Sequence, residues 1–144
     1  MLHGLDGGAP PAADLDAAAR LHELVADLVN ERRVAGVHDC SDGGVAVALA
    51  EMAFAGGVGC TVLPEPGLVP STWCFSESAN RVLLSVDADS LPAVLRRARD
   101  AGVPAADLGV AGGDRIVVEG AFDVALADAE DAWANAIPRI VAPR

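Results

Sequence analysis

An apolar run from Val34 to His38 is interrupted by His38-Asp39-Cys40-Ser41-Asp42-Gly43-Gly44 and resumes as an alanine-rich stretch, Val45 to Ala55, closed by Gly56-Gly57. That order predicts a strand, a tight loop and a helix, since apolar runs carry the elements and paired glycines punctuate them. Two glycines at a helix start allow close approach of the backbone to a ligand and leave the amides of Gly43, Gly44 and Val45 without helical partners. Such amides, with the helix dipole behind them, attract anions. The spacing matches neither the P-loop nor the dinucleotide fingerprint. On the pattern alone a plainer reading stays open, a helix capped by Ser41 or Asp42 with the glycines making a turn.

The rest of the chain predicts elements of both kinds. Asp14 is a good N-cap for a helix over 15–31, with Leu15, Ala18, Leu21, Leu24, Val25 and Leu28 at helical spacing. Val58 to Leu63 reads as a strand, Pro64 to Thr72 as a surface loop, and Trp73 to Phe75 as an extension of a sheet edge. Arg81 to Val86 reads as a strand. Ser90 then caps a helix with Pro92 in its first turn and Gly102 past its end, its Arg96, Arg97 and Arg99 favouring the negative end of the dipole. Leu108–Ala111 and Arg115–Glu119 read as two strands of a tight hairpin around Gly112-Gly113-Asp114, and Asp128 caps a last helix through Ile137, ended by Pro138. Residues 1–13 read as a lead-in and 14–144 as one domain. The fold class is α/β of α+β character, a mixed β-sheet with helices packed on it.

A length of 144 residues suits one core. Lysine is absent, ten arginines face 21 acidic residues, and the formal net charge is −11. Such a field repels phosphate backbones and anionic membrane surfaces, so neither nucleic acid nor a membrane is expected as a partner. An anionic ligand would have to be held locally. Cys40, Cys60 and Cys74 form no C-x-x-C pair and are odd in number, which reads as a reduced, cytoplasmic protein. No apolar stretch approaches the ~20 residues of a membrane span, and the N-terminus lacks the order of a signal peptide.

The segment G-V-H-D-C-S-D-G-G-V-A-V-A-L-A-E-M-A resembles the H-D-x-S-D-G-G-L-x-x-x-L-A-E stretch of the large subunit of formylglycinamide ribonucleotide amidotransferase, or phosphoribosylformylglycinamidine synthase, in its C-terminal AIR-synthase-related domain. Phe75, Glu77, Ser78 and Arg81 are similar to that family's F-x-E-S-x-x-R, and Gly112-Gly113-Asp114-Arg115 to its G-G-x-R hairpin. Leu2-His3-Gly4 with Pro10-Pro11, and Ala132-Trp133 with Pro138, are similar to its domain edges. Selenophosphate synthetase and other superfamily members share the plan but have loops less like this one.

The resemblance implies part of an ATP-dependent ligase of purine biosynthesis, which uses ATP and Mg²⁺ to activate the amide of a phosphoribosyl substrate toward ammonia from a glutaminase subunit or domain. It implies that N-terminal ATP-binding domains are missing, that this chain alone is inactive and that no cofactor is certain for it. An apolar face left bare where those domains dock predicts a homodimer. Ser41, Asp42, Gly43 and Gly44 would bind a phosphate-bearing ligand with His38 beside them. Asp39, Glu77, Ser78 and Arg81 would line the cleft, with no metal ligand and no catalytic residue assigned.

Each of these residues also has a plainer role. His38 ends a buried strand, where histidine usually serves as a hydrogen-bonding group. Asp39 and Asp42 suit loop amides as well as Mg²⁺. Glu77 and Arg81, four apart, suit an ion pair, Arg115 a solvated surface position, and Cys40 a buried thiol. The alternative to the ligase reading is a non-catalytic nucleotide-binding or assembly module on the same fold, or another superfamily member such as selenophosphate synthetase.

Overall fold

A computed structural model describes residues 13–141, so nearly all of the expected lead-in lies outside the described residues. Helix α1 spans Leu15–Asn30, and the Asp14 carboxylate caps it by accepting the Ala17 amide at 2.9 Å. Strand β1 is Gly36–Asp39, helix α2 Gly44–Gly56 and strand β2 Cys60–Val62. Helix α3 is Pro70–Phe75, β3 Val82–Ser85, α4 Leu91–Asp100, β4 Gly109–Ala111, β5 Arg115–Val118, β6 Phe122–Ala125 and α5 Leu126–Val141.

Helix α2 organises the molecule. Apart from Glu51 it is apolar and rich in alanine, the pattern of a helix buried between layers, and Val45, Ala46, Ala48 and Ala53 are buried. On one side lies a two-stranded antiparallel ribbon, β1 with β3, in the register His38↔Leu83. On the other lies a four-stranded mixed sheet in the order β4-β2-β5-β6. Cys60, Val62, Ile116 and Val118 of that sheet, Leu83 of the ribbon and Trp73 and Cys74 of α3 share one core with α2. The far face of the ribbon has a second core, where Leu24 and Leu28 of α1 meet Val94 and Ala98 of α4 over Leu84 and Val86. Leu28 is fully buried, which contributes about 1.5–3 kcal/mol. Arg97 of α4 ties the two helices together, reaching Glu31 at 2.6 Å and Asp27 at 3.5 Å.

Several expectations are overturned. Trp73 to Phe75 is not a sheet edge but the end of α3, with Pro70 in the first turn and Val69 extended before it. Gly112-Gly113-Asp114 does not close a hairpin, because β4 and β5 both pair with β2, antiparallel and parallel respectively. The turn instead arches over the strand entry: the Gly59 amide donates to the Gly113 carbonyl at 2.8 Å and the Gly112 amide to the Gly59 carbonyl at 2.7 Å. A Cβ on Gly59 would stand 2.0 Å from the Arg115 carbonyl oxygen, so only glycine fits there. Strand β6 is additional to the elements read from the sequence. Ser90 precedes α4 but makes no side-chain cap bond. Helix α5 starts before Asp128 and continues through Pro138 to Val141. The carbonyl that Pro138 leaves without a donor belongs to Ala134, an exposed residue that water can serve.

Candidate functional site

The loop between β1 and α2 is built by two left-handed glycines. Gly43 is the helix N-cap at φ 76° and Gly44, the first helical residue, has φ 69°. Neither Ser41 nor Asp42 caps the helix; both are exposed, and the N-cap has no side-chain bond. Gly44 is buried beneath the end of α3: a Cβ there would lie 2.6 Å from the Cys74 carbonyl oxygen and 2.9 Å from that of Ser76. Close packing of backbone on backbone therefore fixes the loop, and Gly44 is the residue that permits it.

His38 faces α2, where its Nε2 lies 3.0 Å from Glu51 Oε2 while Nδ1 lies 2.6 Å from the Asp39 carbonyl oxygen. Both ring nitrogens thus meet oxygen acceptors. The residue acts as a tie between strand and helix, and Glu51, one helical stretch further along, is the partner that the sequence reading did not single out. Its signal was the Leu49-Ala50-Glu51 text itself. Asp39 lines a groove together with His22, Val25, Ala26, Val37, Val82 and His38 itself. The Ser41 hydroxyl beside it holds its carboxyl below the usual carboxylate range, with backbone amides and His38 adding to the effect.

Glu77 and Arg81 do not pair. Arg81 donates from Nη1 to the Ser76 carbonyl at 3.3 Å and to Ser76 Oγ at 3.1 Å, half-buried against the segment that follows α3. Glu77 reaches instead across the site, and its Oε1 accepts the Gly43 amide at 2.9 Å. The structure therefore brings together Gly43, Gly44, Ser76, Glu77 and Arg81. Ser78 is exposed in the same segment. Arg115 is no free surface cation, since its Nε lies 2.6 Å from Asp123 Oδ1 across β5 and β6. Burial pushes the Cys40 thiol up, and Arg81 only partly opposes it, which keeps the sulfur protonated and a poor nucleophile. Among the described residues no group of three or more His, Cys, Asp or Glu side chains is placed to hold a metal ion.

Comparison with known proteins gives the same architecture a lineage. The phosphoribosylformylglycinamidine synthase subunit PurL of Parvibaculum lavamentivorans is 39% identical over 137 residues, 95% of this chain and 18% of its own length. That of a Nocardioides species is 42% identical over 139 residues, with 96% and 18% covered. The chain thus spans about a fifth of the length of these curated relatives. Among solved structures, Thermotoga maritima PurL complexed with ATP superposes with a TM-score of 0.73 at 23% identity, over 85% of this chain and 24% of that one. The same protein complexed with FGAR gives 0.72 at 22% identity, over 83% and 22%; at such identities the likeness establishes the fold. The family described as AIR synthase related protein, C-terminal domain, matches residues 2–120, and with its mixed sheet, its glycine-built loop and this match the chain belongs to that family.

Proposed function

We propose that the chain is the C-terminal domain of the large subunit of a phosphoribosylformylglycinamidine synthase, an ATP-dependent carbon–nitrogen ligase. In that reaction phosphoryl transfer from ATP activates the amide oxygen of formylglycinamide ribonucleotide, and ammonia displaces phosphate to give the amidine. The work of this domain is positioning. The amides at the start of α2, with Ser41 beside them, hold the phosphate of a ligand, as helix N-termini do. His38 and Glu51 hold β1 against α2, and Arg81 holds the segment after α3. As the resemblance implies, ATP and Mg²⁺ belong with parts of the enzyme outside this chain. The partners are those ATP-binding domains, a glutaminase subunit or domain and the phosphoribosyl substrate, in the cytoplasm; among the described residues no helix is long and apolar enough to cross a membrane.

The observation that carries this reading is the clamp at Gly44, which sets a left-handed backbone at a helix start in a chain 39% identical over 137 residues to a PurL subunit. Calorimetric titration with formylglycinamide ribonucleotide, and separately with Mg-ADP, tests it on the wild type and on Gly43→Val, whose fold is checked by circular dichroism. Saturable binding that the folded variant loses is the expected result. Equal binding by both proteins would move the ligand away from the loop.

The second reading, a non-catalytic assembly module, has its own support in α5. Trp133, Ile137, Ile140 and Val141 are all more than half exposed on the helix's last turns.

A further inference from the structure

The β1–β3 ribbon is two strands wide, so among the described residues β1 has one edge that no strand pairs with. The register tells which main-chain groups lie on that edge. The Cys40 amide donates to the Arg81 carbonyl at 3.0 Å, one step beyond the Asp39↔Val82 pair. Bonded and non-bonded pairs alternate along an antiparallel ladder, so His38 bonds inward to β3 while the amides and carbonyls of Val37 and Asp39 point outward. The Asp39 carbonyl meets the His38 ring, Nδ1 lying 2.6 Å away. The Val37 amide and carbonyl and the Asp39 amide are left for a partner.

That edge opens into a groove of about 530 Å³ between the ribbon and α1. Consecutive residues of a strand face opposite sides, yet Val37, His38 and Asp39 all line it. The groove must therefore run along the main chain of β1 and not over one face alone. Val25 and Ala26 of α1 and Val82 of β3 make the rest of it largely apolar, and Val37 is exposed. Free main-chain groups beside an apolar trough suit strand addition, in which the edge binds the incoming main chain and the trough takes alternate side chains. Asp39 sets the charge. Its carboxylate is exposed, and of the charged groups described only the His38 ring comes within ion-pair distance, at 3.8 Å. Such an edge repels an acidic strand and receives a basic one.

We propose that β1 is completed by a third strand, an extended segment from the rest of the large subunit, with an apolar side chain beside Val37 and an arginine or lysine beside Asp39. This rests on the reading of the chain as part of that subunit. The chain spans 18% of the length of the Parvibaculum lavamentivorans PurL, so the larger part of such a polypeptide lies outside it and can supply the strand. The apolar and basic residues stand two apart in the segment, which turns both toward α1. A second copy's β1, Gly36-Val37-His38-Asp39, would bring another acid and no arginine or lysine. The third strand also widens a ribbon that is narrow for a sheet.

The test compares amide hydrogen exchange in the isolated 144-residue chain, kept dilute, with exchange in the complete large subunit that contains it. The Val37 and Asp39 amides exchange at least roughly tenfold more slowly in the complete subunit, the effect of one added main-chain bond each. Val37→Pro, which removes an outward amide and no ribbon bond, leaves the unfolding midpoint of the isolated chain unchanged and lowers that of the complete subunit. Asp39→Arg speeds exchange at Val37 in the complete subunit only. Equal exchange at Val37 and Asp39 in both proteins overturns the third strand; turnover of formylglycinamide ribonucleotide by the same subunit then reports separately on the ligase reading. Slowed amides with Val37→Pro tolerated alike in both proteins mean cover without strand pairing, and overturn it too. Protection already present in the isolated chain that fades on dilution assigns the edge to a second copy, and an unaltered rate in Asp39→Arg removes the basic residue.

Discussion

A single methyl group separates Gly44 from a residue the site will not accept. Its φ of 69° already strains an L side chain, and the added Cβ would meet main-chain atoms, which do not move aside as a side-chain end does. Gly44→Ala is expected to cost at least about 2 kcal/mol, combining backbone strain with overpacking, read as a lower midpoint in urea denaturation. Asp39 gives a second prediction at this scale. Its folded pKa lies below its unfolded one, so its contribution to stability is complete above the unfolded value and is lost as pH falls through the folded value. Asp39→Asn should therefore lower stability slightly above about pH 4, where the carboxylate contributes, and converge on the wild type as pH falls through the folded value, so that the acid limb is flatter. Residues of this site were legible in sequence to differing degrees. The glycines announced themselves, because two in succession at a helix start need a conformational reason. The Glu77 contact did not, because it joins two loops far apart in the chain, and the nearer spacing to Arg81 suggested a pair that Ser76 pre-empts.

Among the elements, α1, α2 and α4 were legible because the extent of their apolar runs agrees with their burial, and in α1 because Asp14 caps the helix as well. Helix α3 was not: six residues are too few to display a period, and Trp73-Cys74-Phe75 looks as apolar as any strand. The signal available was Val69-Pro70, an extended residue followed by proline at a first helical turn. The arch at Gly112-Gly113 was misread for a topological reason, since a glycine turn between two strands is the same text whether the strands pair together or straddle a third. Helix α5 carries the prediction of this scale. Its polar side is self-satisfied, with Asn135 bonding Asp131 at 2.7 Å and Arg139 paired to the same carboxylate. Its other side packs at the start, where Leu126 and Ala129 join the core, and Trp133 lies over Phe54 with ring centroids 5.6 Å apart. Beyond that, Ile137 at 71% and Ile140 at 82% exposure are bare. Sedimentation equilibrium should find concentration-dependent self-association of the isolated chain that Ile137→Glu abolishes while α-helix content persists. A strict monomer would exclude the homodimer.

At the scale of the whole molecule, among the described residues α2 packs against both small sheets and against α3 and α5, α1 and α4 pack on the far face of the ribbon, and the two cores on either side of the β1–β3 ribbon share no residue. The mixed architecture followed from sequence because strands and helices alternate along the chain. The separation into a ribbon and a four-stranded sheet did not, because pairing partners are chosen by α2 lying between them. The glycine arch over Gly59 also bears on how the chain reaches this state. Both neighbours of β2 come from one later stretch, residues 109–118. A chain leaving the ribosome therefore presents Cys60-Thr61-Val62 with two open edges until that stretch arrives and straddles it. Pairing over such a separation is slow to nucleate, and an unpaired apolar edge is where chains stick to one another. The hydrogen bonds between Gly59 and the Gly112-Gly113 turn act as the latch that ends this exposed interval.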